Sequence, residues 1–278
     1  MSRISLVQAN PTVKNKEKNL AFMEKVVNKT DSDLIAFGEL FLTGYMCHDS
    51  FPRLAEYVTG PSVQRISKLS QKNDCYVVFG MPEKSTDIKG IVYNTAVLTH
   101  PDGKVDCYRK WMLPNFGPFE EKRHFKSGDE LPVFSTKIGK IGLLICYDIF
   151  FPEISKAYAL KGGEILCCIS ASPTIARNYF EKVMVARAIE NTAFFLYTNI
   201  VGVHGNLTFW GGNAVISPRG ELLAKGEYLK EQIVNCDIDR REIKPARNMR
   251  PVLRDTRHEM YDILLDALKS RKREGDEI

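Results

Sequence analysis

The run Ile141-Gly142-Leu143-Leu144-Ile145-Cys146 is apolar from end to end and is followed by Tyr147-Asp148-Ile149-Phe150-Phe151-Pro152-Glu153. A buried strand that ends on a thiol and gives way to a helix start is how a fold presents a nucleophile. Two more strand-like runs end on reactive groups. Leu34-Ile35-Ala36-Phe37 leads to Gly38-Glu39, and Val105-Asp106-Cys107-Tyr108-Arg109 leads to Lys110. A carboxylate, an ammonium and a thiol, each just past the end of a strand, imply one active site at one edge of a sheet.

Apolar residues at helical spacing predict helices over 15–28 (Leu20, Met23, Val26, Val27) and 62–71 (Val63, Ile66, Leu69). Further helices are expected over 152–161, stopped by Gly162-Gly163, and over 179–191 and 256–269. Strands are expected at 4–8, 34–37, 75–79, 164–169, 193–199 and 232–238. Hairpins are expected around Pro101-Asp102-Gly103, within 137–145 with the turn at Gly139-Lys140, and around Ser217-Pro218-Arg219-Gly220. Helices alternating with both crossover-linked and hairpin-linked strands argue for mixed sheets with helices outside, in layers. An α/β four-layer α-β-β-α sandwich fits this pattern, and a three-layer fold fits it equally. No repeat, low-complexity segment or linker divides the 278 residues, so one domain is expected.

The net charge of +5 comes from scattered Lys and Arg and from the tail Lys269-Ser270-Arg271-Lys272-Arg273. No basic stripe interleaved with aromatics appears, so no nucleic-acid partner is expected. The N-terminal apolar stretch is too short for a signal peptide, and no run is long enough to span a membrane. The cysteines, at 47, 75, 107, 146, 167, 168 and 236, are irregularly spaced and contain no Cys-x-x-Cys, so no zinc site is expected. Several lie within apolar runs as small hydrophobes, and the expected compartment is the cytoplasm.

A free cysteine ionises near pH ~8.5, so an enzymatic thiol at neutral pH needs a base or a positive neighbour. Glu39 can take the proton. Lys110 can stabilise the thiolate and a later oxyanion, and the backbone N–H of Tyr147 is the natural second donor. A helix starting at Pro152 adds modestly to the field. Taken singly, a cysteine ending a strand is more often inert core, and a strand-end Glu or Lys is more often solvated. The spacing 39, 110, 146 is too wide to form a local motif.

Three stretches, in order, resemble the glutamate, lysine and cysteine motifs of the nitrilase or carbon–nitrogen hydrolase superfamily. They are Gly38-Glu39-Leu40-Phe41-Leu42-Thr43-Gly44-Tyr45, Tyr108-Arg109-Lys110-Trp111-Met112-Leu113-Pro114 and Gly142 through Glu153. Phe119-Glu120-Glu121-Lys122-Arg123-His124-Phe125 is similar to the stretch holding that family's second glutamate, which by register is Glu121. Ala186 to Asn191, Asn199 to Gly202 and Arg254 to Tyr261 extend the resemblance over almost the whole chain. Gly38 stands where a proline is usual, Asn213 replaces a frequent serine and Lys156 a frequent arginine; none of these touches the proposed chemistry. Cys146-Tyr147-Asp148 departs from the Cys-Trp-Glu typical of nitrile-cleaving members, so the resemblance implies an amidase branch. Leu42 to Tyr45, Ser170 to Pro173, Tyr197 to Gly202 and Phe209 to Asn213 are similar to the glutaminase domain of glutamine-dependent NAD synthetases.

The resemblance implies a four-layer sandwich and a catalytic set of Glu39, Lys110, Cys146 and Glu121. Tyr147 and Ser172 would serve the oxyanion or the substrate, and the chemistry needs no metal or organic cofactor. The expected reaction is hydrolysis of a small amide through a thioester, releasing ammonia and an acid. A free-standing glutaminase feeding a partner synthetase and a catalytically silent binding subunit are the alternatives. A cysteine–histidine hydrolase with His124 or His204 as base is a further rival. The resemblance also implies a homodimer or larger homo-oligomer; residues 1–258 are expected as the hydrolase domain and 259–278 as a helix and charged tail that either clasps a neighbouring copy or packs on its own subunit. Met260, Ile263, Leu264, Ala267 and Leu268 lie along one side of that helix. Loops at 115–119, 174–177 and 204–210 are expected to line the pocket, with Arg177 available to a substrate carboxylate.

Overall fold

The computed structural model describes residues 1–273. Two six-stranded sheets carry the fold. The first comprises β1 (Ser2–Gln8), β2 (Leu34–Ala36), β3 (Tyr76–Lys84), β4 (Val92–Thr99), β5 (Val105–Arg109) and β14 (Gln232–Ile238), in the order β14-β1-β2-β3-β4-β5. The second comprises β6 (Val133–Thr136), β7 (Gly139–Ile145), β8 (Ile165–Ser170), β9 (Phe194–Asn199), β12 (Ala214–Ile216) and β13 (Leu222–Lys225), in the order β13-β12-β9-β8-β7-β6. β10 (Val201–His204) and β11 (Leu207–Trp210) form a separate hairpin.

Each sheet has parallel strands at its centre (β1, β2, β3 and β7, β8, β9) and antiparallel strands at its edges. Parallel strands are covered on both faces and read as unbroken apolar runs, as Ile165-Leu166-Cys167-Cys168-Ile169 does here. The period of two decides which side chains meet which layer. Ile4, Leu6, Leu34, Ala36, Val78 and Leu98 of the first sheet share a core with the second sheet. Their neighbours Val7, Ile35, Val77, Phe79 and Val97 face the other way. There they pack on Leu20, Met23 and Val27 of α1 (Lys16–Lys29) and Val63 and Ile66 of α3 (Pro61–Lys72). The short α2 (Phe51–Leu54) lies between α1 and α3 in the chain. Ile154 and Tyr158 of α5 (Pro152–Leu160), with Phe180, Met184 and Ala188 of α6 (Arg177–Asn191), cover the second sheet. The result is the α-β-β-α sandwich; the three-layer alternative fails because the strands divide into two facing sheets.

That division corrects one expectation. Glu39 and Lys110 follow strands of the first sheet and Cys146 follows a strand of the second, so the site lies where two sheets meet rather than at the edge of one. A second correction concerns the hairpin at 137–145. Gly139 pairs with Thr136 as the first residue of β7, and the turn is Lys137-Ile138. Ile138 is buried, and the Lys137 N–H donates to the Tyr76 hydroxyl at 2.8 Å. The flexible glycine was the obvious turn residue, but an apolar residue with a place in the core took the turn instead.

α4 (Glu121–His124), α7 (Ile243–Met249) and the β10–β11 hairpin had no clear periodic signal because each is short. α8 (His258–Arg273) begins just after the expected start. Met260, Ile263, Leu264 and Leu268 on it are all exposed, and Tyr261, Leu264 and Leu268 border a groove of about 820 Å³ whose other wall includes Trp111, Phe151 and Leu160. The rest of the expected tail, 274–278, lies outside the described residues. Among the described residues no helix is long and apolar enough to cross a membrane.

Candidate active site

β7 delivers Cys146 in a left-handed backbone conformation, φ +48°. For a residue with a Cβ such a conformation costs on the order of 1–3 kcal/mol, so the surroundings must hold it. Asp148 does so. Its Oδ2 accepts the Ile145 N–H at 2.9 Å and the Tyr108 hydroxyl at 2.8 Å, and its Oδ1 accepts the Met112 N–H at 2.9 Å. One carboxylate thereby ties the turn that carries the thiol to the segment on either side of Lys110. Burial pushes the Asp148 carboxyl up to about 6, opposed by the Lys110 charge and by these hydrogen bonds, so it is still ionised at neutral pH. A tight turn over Cys146–Phe150 intervenes before α5 starts at Pro152. The positive end of α5 therefore does not sit at the thiol, and its field matters less than the sequence implied.

Glu39 leaves the first sheet after Phe37, whose N–H donates to Val78 O at 2.8 Å. Gly80 on β3 lies directly beneath; a Cβ there would stand 2.2 Å from the Leu40 nitrogen. Only glycine lets the Glu39-Leu40 turn, with Leu40 at φ +48°, settle onto the sheet. The Glu39 side chain is fully buried, and its Oε2 accepts the Ala171 N–H at 2.8 Å from the loop after β8. Its Oε1 accepts from Lys110 Nζ and from Asn94 Nδ2, each at 2.7 Å.

Lys110 follows β5 and is also fully buried. Its backbone N–H donates to Asn94 O at 2.8 Å, which holds the residue in line with β4. Its ammonium donates to Glu39 at 2.7 Å and to Glu121 Oε1 at 2.8 Å. Glu121, at the start of α4, also accepts from the Tyr45 hydroxyl at 2.7 Å. Asn94 Nδ2 lies 3.4 Å from Glu121 Oε2 and so spans both carboxylates.

Charge accounts for the state of each group. Burial and then the Glu39 charge push the Cys146 thiol well above its ordinary range, and Lys110 only partly offsets them. The Cys146 thiol is therefore neutral at rest. Burial disfavours the charged form of Lys110, but Glu121 and Glu39 outweigh it and keep the ammonium charged. Burial raises the Glu121 carboxyl, with Lys110 opposing. The cavity thus holds one fixed cation between two acids, beside an uncharged thiol.

The structure brings together Glu39, Lys110, Glu121 and Cys146. The centre of the Tyr147 ring lies 5.3 Å from that of Phe116 and 5.2 Å from that of Phe151. Ser172 is buried beside the site: its N–H donates to Asn199 Oδ1 at 2.8 Å and its hydroxyl accepts from Trp210 Nε1 at 3.3 Å. Arg177 rests on the Tyr228 ring, 4.6 Å from its centre. His204 is paired with Asn10 at 2.8 Å and packed on Phe209. His124 sits against Phe51 and Phe125. The charges that act most on Cys146 are those of Glu39, Lys110 and Glu121.

Sequence reasoning passed over Asn94, Tyr45 and Asp148. Tyr45 and Asp148 stood inside the quoted motifs without an assigned task. Asn94 had a physical signal of its own: a polar amide within a buried strand, where asparagine is disfavoured unless it is bonded.

The family model for carbon-nitrogen hydrolases matches residues 3–248. A probable nitrilase of Schizosaccharomyces pombe is 31% identical, covering 95% of this chain and 98% of its own length. A glutamine-dependent NAD(+) synthetase of Aquifex aeolicus is 32% identical over 89% of this chain, which spans 44% of that synthetase. A solved structure is similar with a TM-score of 0.81 and 25% identity, covering 94% of this chain and 95% of that one. It is a Glu-to-Gln mutant of the amidase from Nesterenkonia sp. AN1, bearing the acetamide moiety of fluoroacetamide on its active-site cysteine.

A thiol raised by burial and by an adjacent carboxylate ionises late. The pH dependence of iodoacetamide alkylation at Cys146, measured by peptide mass, should therefore inflect above the ~8.5 of a free cysteine. An inflection below that value would mean that Lys110 outweighs burial and Glu39.

Proposed function

This chain belongs to the carbon–nitrogen hydrolase family, and from that premise we propose that it hydrolyses a small linear amide to ammonia and a carboxylic acid through a thioester on Cys146. The observation that carries the proposal is the buried Lys110 ammonium held by Glu39 and Glu121 beside a neutral thiol. A neutral thiol in this setting needs a base at the moment of attack, and Glu39 is the carboxylate acting on it most strongly.

In the proposed cycle Cys146 Sγ attacks the amide carbonyl carbon as its proton passes to Glu39. An ammonium carries three N–H donors; the two carboxylates engage two on Lys110, and the third is directed to the oxyanion. The Tyr147 N–H is the second oxyanion donor. Glu39 returns the proton to the amide nitrogen, the C–N bond breaks, and ammonia leaves the acyl group on Cys146. Glu39 then takes a proton from water as the water oxygen attacks the thioester carbon; the C–S bond breaks, Glu39 returns the proton to sulfur, and the acid departs from the restored thiol. Glu121 acts through Lys110, fixing its position and charge, while Tyr45 and Asn94 fix Glu121. Ser172, next to the Ala171 N–H that holds Glu39, borders the bound substrate.

Glutamine heads the substrates to be tried, because the Aquifex relative uses glutamine by name. Ammonia release across glutamine, asparagine, short aliphatic amides and carbamoyl compounds identifies the amide. Cys146→Ala should abolish release, and Lys110→Ala should lower it by about a hundredfold or more, the usual loss for an oxyanion donor. Release that persists in Cys146→Ala would refute the reading.

We also propose that residues 1–258 form the hydrolase unit and that a second copy of the chain covers the exposed apolar side of α8. Ile263 at 69% and Leu268 at 60% exposure are a poor state for a single copy in water. Light scattering should give a multiple of 31.6 kDa for the natural chain and a smaller assembly for Ile263→Asp/Leu268→Asp. A single-copy mass for the natural chain would end this proposal.

A further inference from the structure

Next to Glu121, three donors converge from two distant segments of the chain. His48 lies in the turn His48–Ser50, Glu120 directly precedes α4, and His124 ends α4. His48 Nδ1 and His124 Nε2 each stand 3.9 Å from Glu120 Oε2, and all three donor atoms lie within 4.8 Å of one another. A separation of 3.9 Å is too long for a hydrogen bond. The His124 side chain is only 8% exposed, and its buried Nε2 has no hydrogen-bond partner among the described residues. A buried imidazole nitrogen without a partner is costly unless something occupies its lone pair or takes its proton. His48 is held at φ +46°, a left-handed conformation that brings its ring 6.3 Å from that of His124.

We propose that His48, Glu120 and His124 bind one divalent cation of the zinc class. Two imidazoles and one carboxylate suit borderline transition metals and not magnesium or calcium, which prefer oxygen. Three protein donors leave a fourth position for water, and a small cavity of about 30 Å³ bordered by His48, Glu120, Glu121 and His124 accommodates it. Donors around tetrahedral zinc stand ~3.3 Å apart, from bond lengths of about 2.0–2.1 Å. The donors here must close by about 1 Å, and the half-exposed His48 and Glu120 side chains are free to do so while buried His124 stays fixed. The Arg123–Asp49 ion pair at 3.4 Å already joins the same two segments.

An ion at this position pins the backbone of Glu120 and therefore that of Glu121, whose carboxylate bonds Tyr45 and Lys110. The cation has no part in the proposed amide chemistry; it cross-links the rim of the site. The wide sequence separation of 48 from 120–124, and the absence of cysteine ligands, kept this set from standing out among the residues.

The test separates this site from zinc capture by the nucleophile. The full chain carrying Cys146→Ala is titrated calorimetrically with zinc chloride, and with cobalt(II), whose visible absorption reports its ligand field. Saturable binding of one ion is expected. Adding His48→Ala or Glu120→Gln, both at surface positions that leave the core intact, should weaken binding by at least about tenfold and remove the cobalt bands, since even outer-shell changes cost that much. Absence of saturable zinc binding, or binding unchanged by both substitutions, would overturn the proposal.

Discussion

Everything in the site is arranged around one buried ammonium. Lys110 sits without solvent between Glu39 and Glu121, and burying any one of these charges alone would be prohibitive. The pair of carboxylates makes the lysine tenable, and Tyr45, Asn94 and the Ala171 N–H make the carboxylates tenable. Removing one partner strands the others as uncompensated charge in a low-dielectric interior. The hydrogen bonds hold the cluster in place, as the proposed oxyanion role of Lys110 requires.

The second constraint is the strained backbone at Cys146. Its left-handed conformation lifts the thiol out of the end of β7 toward the cluster, and Asp148 holds that turn against the segment flanking Lys110 through two hydrogen bonds while a third, from the Ile145 N–H, braces the turn itself. Because β5 and β7 belong to different sheets, this carboxylate also fixes the two sheets relative to each other at the point where the chemistry is assembled. The same burial that secures the cluster keeps the thiol neutral, which is why the proposed cycle needs Glu39 as its base.

Much of this was legible in the residues. Apolar runs ending at Glu39, Lys110 and Cys146 placed three reactive groups at strand ends, and the structure puts all three there. The periodicity of Leu20, Met23 and Val27, and of Val63 and Ile66, marked the helices that cover the first sheet. The number of sheets was not legible, because a strand buried by helix and a strand buried by another sheet have the same apolar pattern. That is why one sheet edge was expected where two sheets meet. The turn at Lys137-Ile138 was hidden because Ile138 is chosen for the core and not for turn chemistry. Asn94, Tyr45 and Asp148 escaped for another reason: their value lies in partners far away in the chain, and no local spacing announces such a partner. The convergence of His48 with Glu120 and His124 is of the same kind.

The central claim is that turnover passes through an acyl group on Cys146 formed inside this charge cluster. Partitioning between water and added hydroxylamine during amide turnover tests it most directly. A shared thioester should divert part of the product to the hydroxamate, with the same acid-to-hydroxamate ratio for two amides that share an acyl group but differ in the departing amine. Product appearing only as free acid at every hydroxylamine concentration, or a ratio that follows the departing amine, would contradict it.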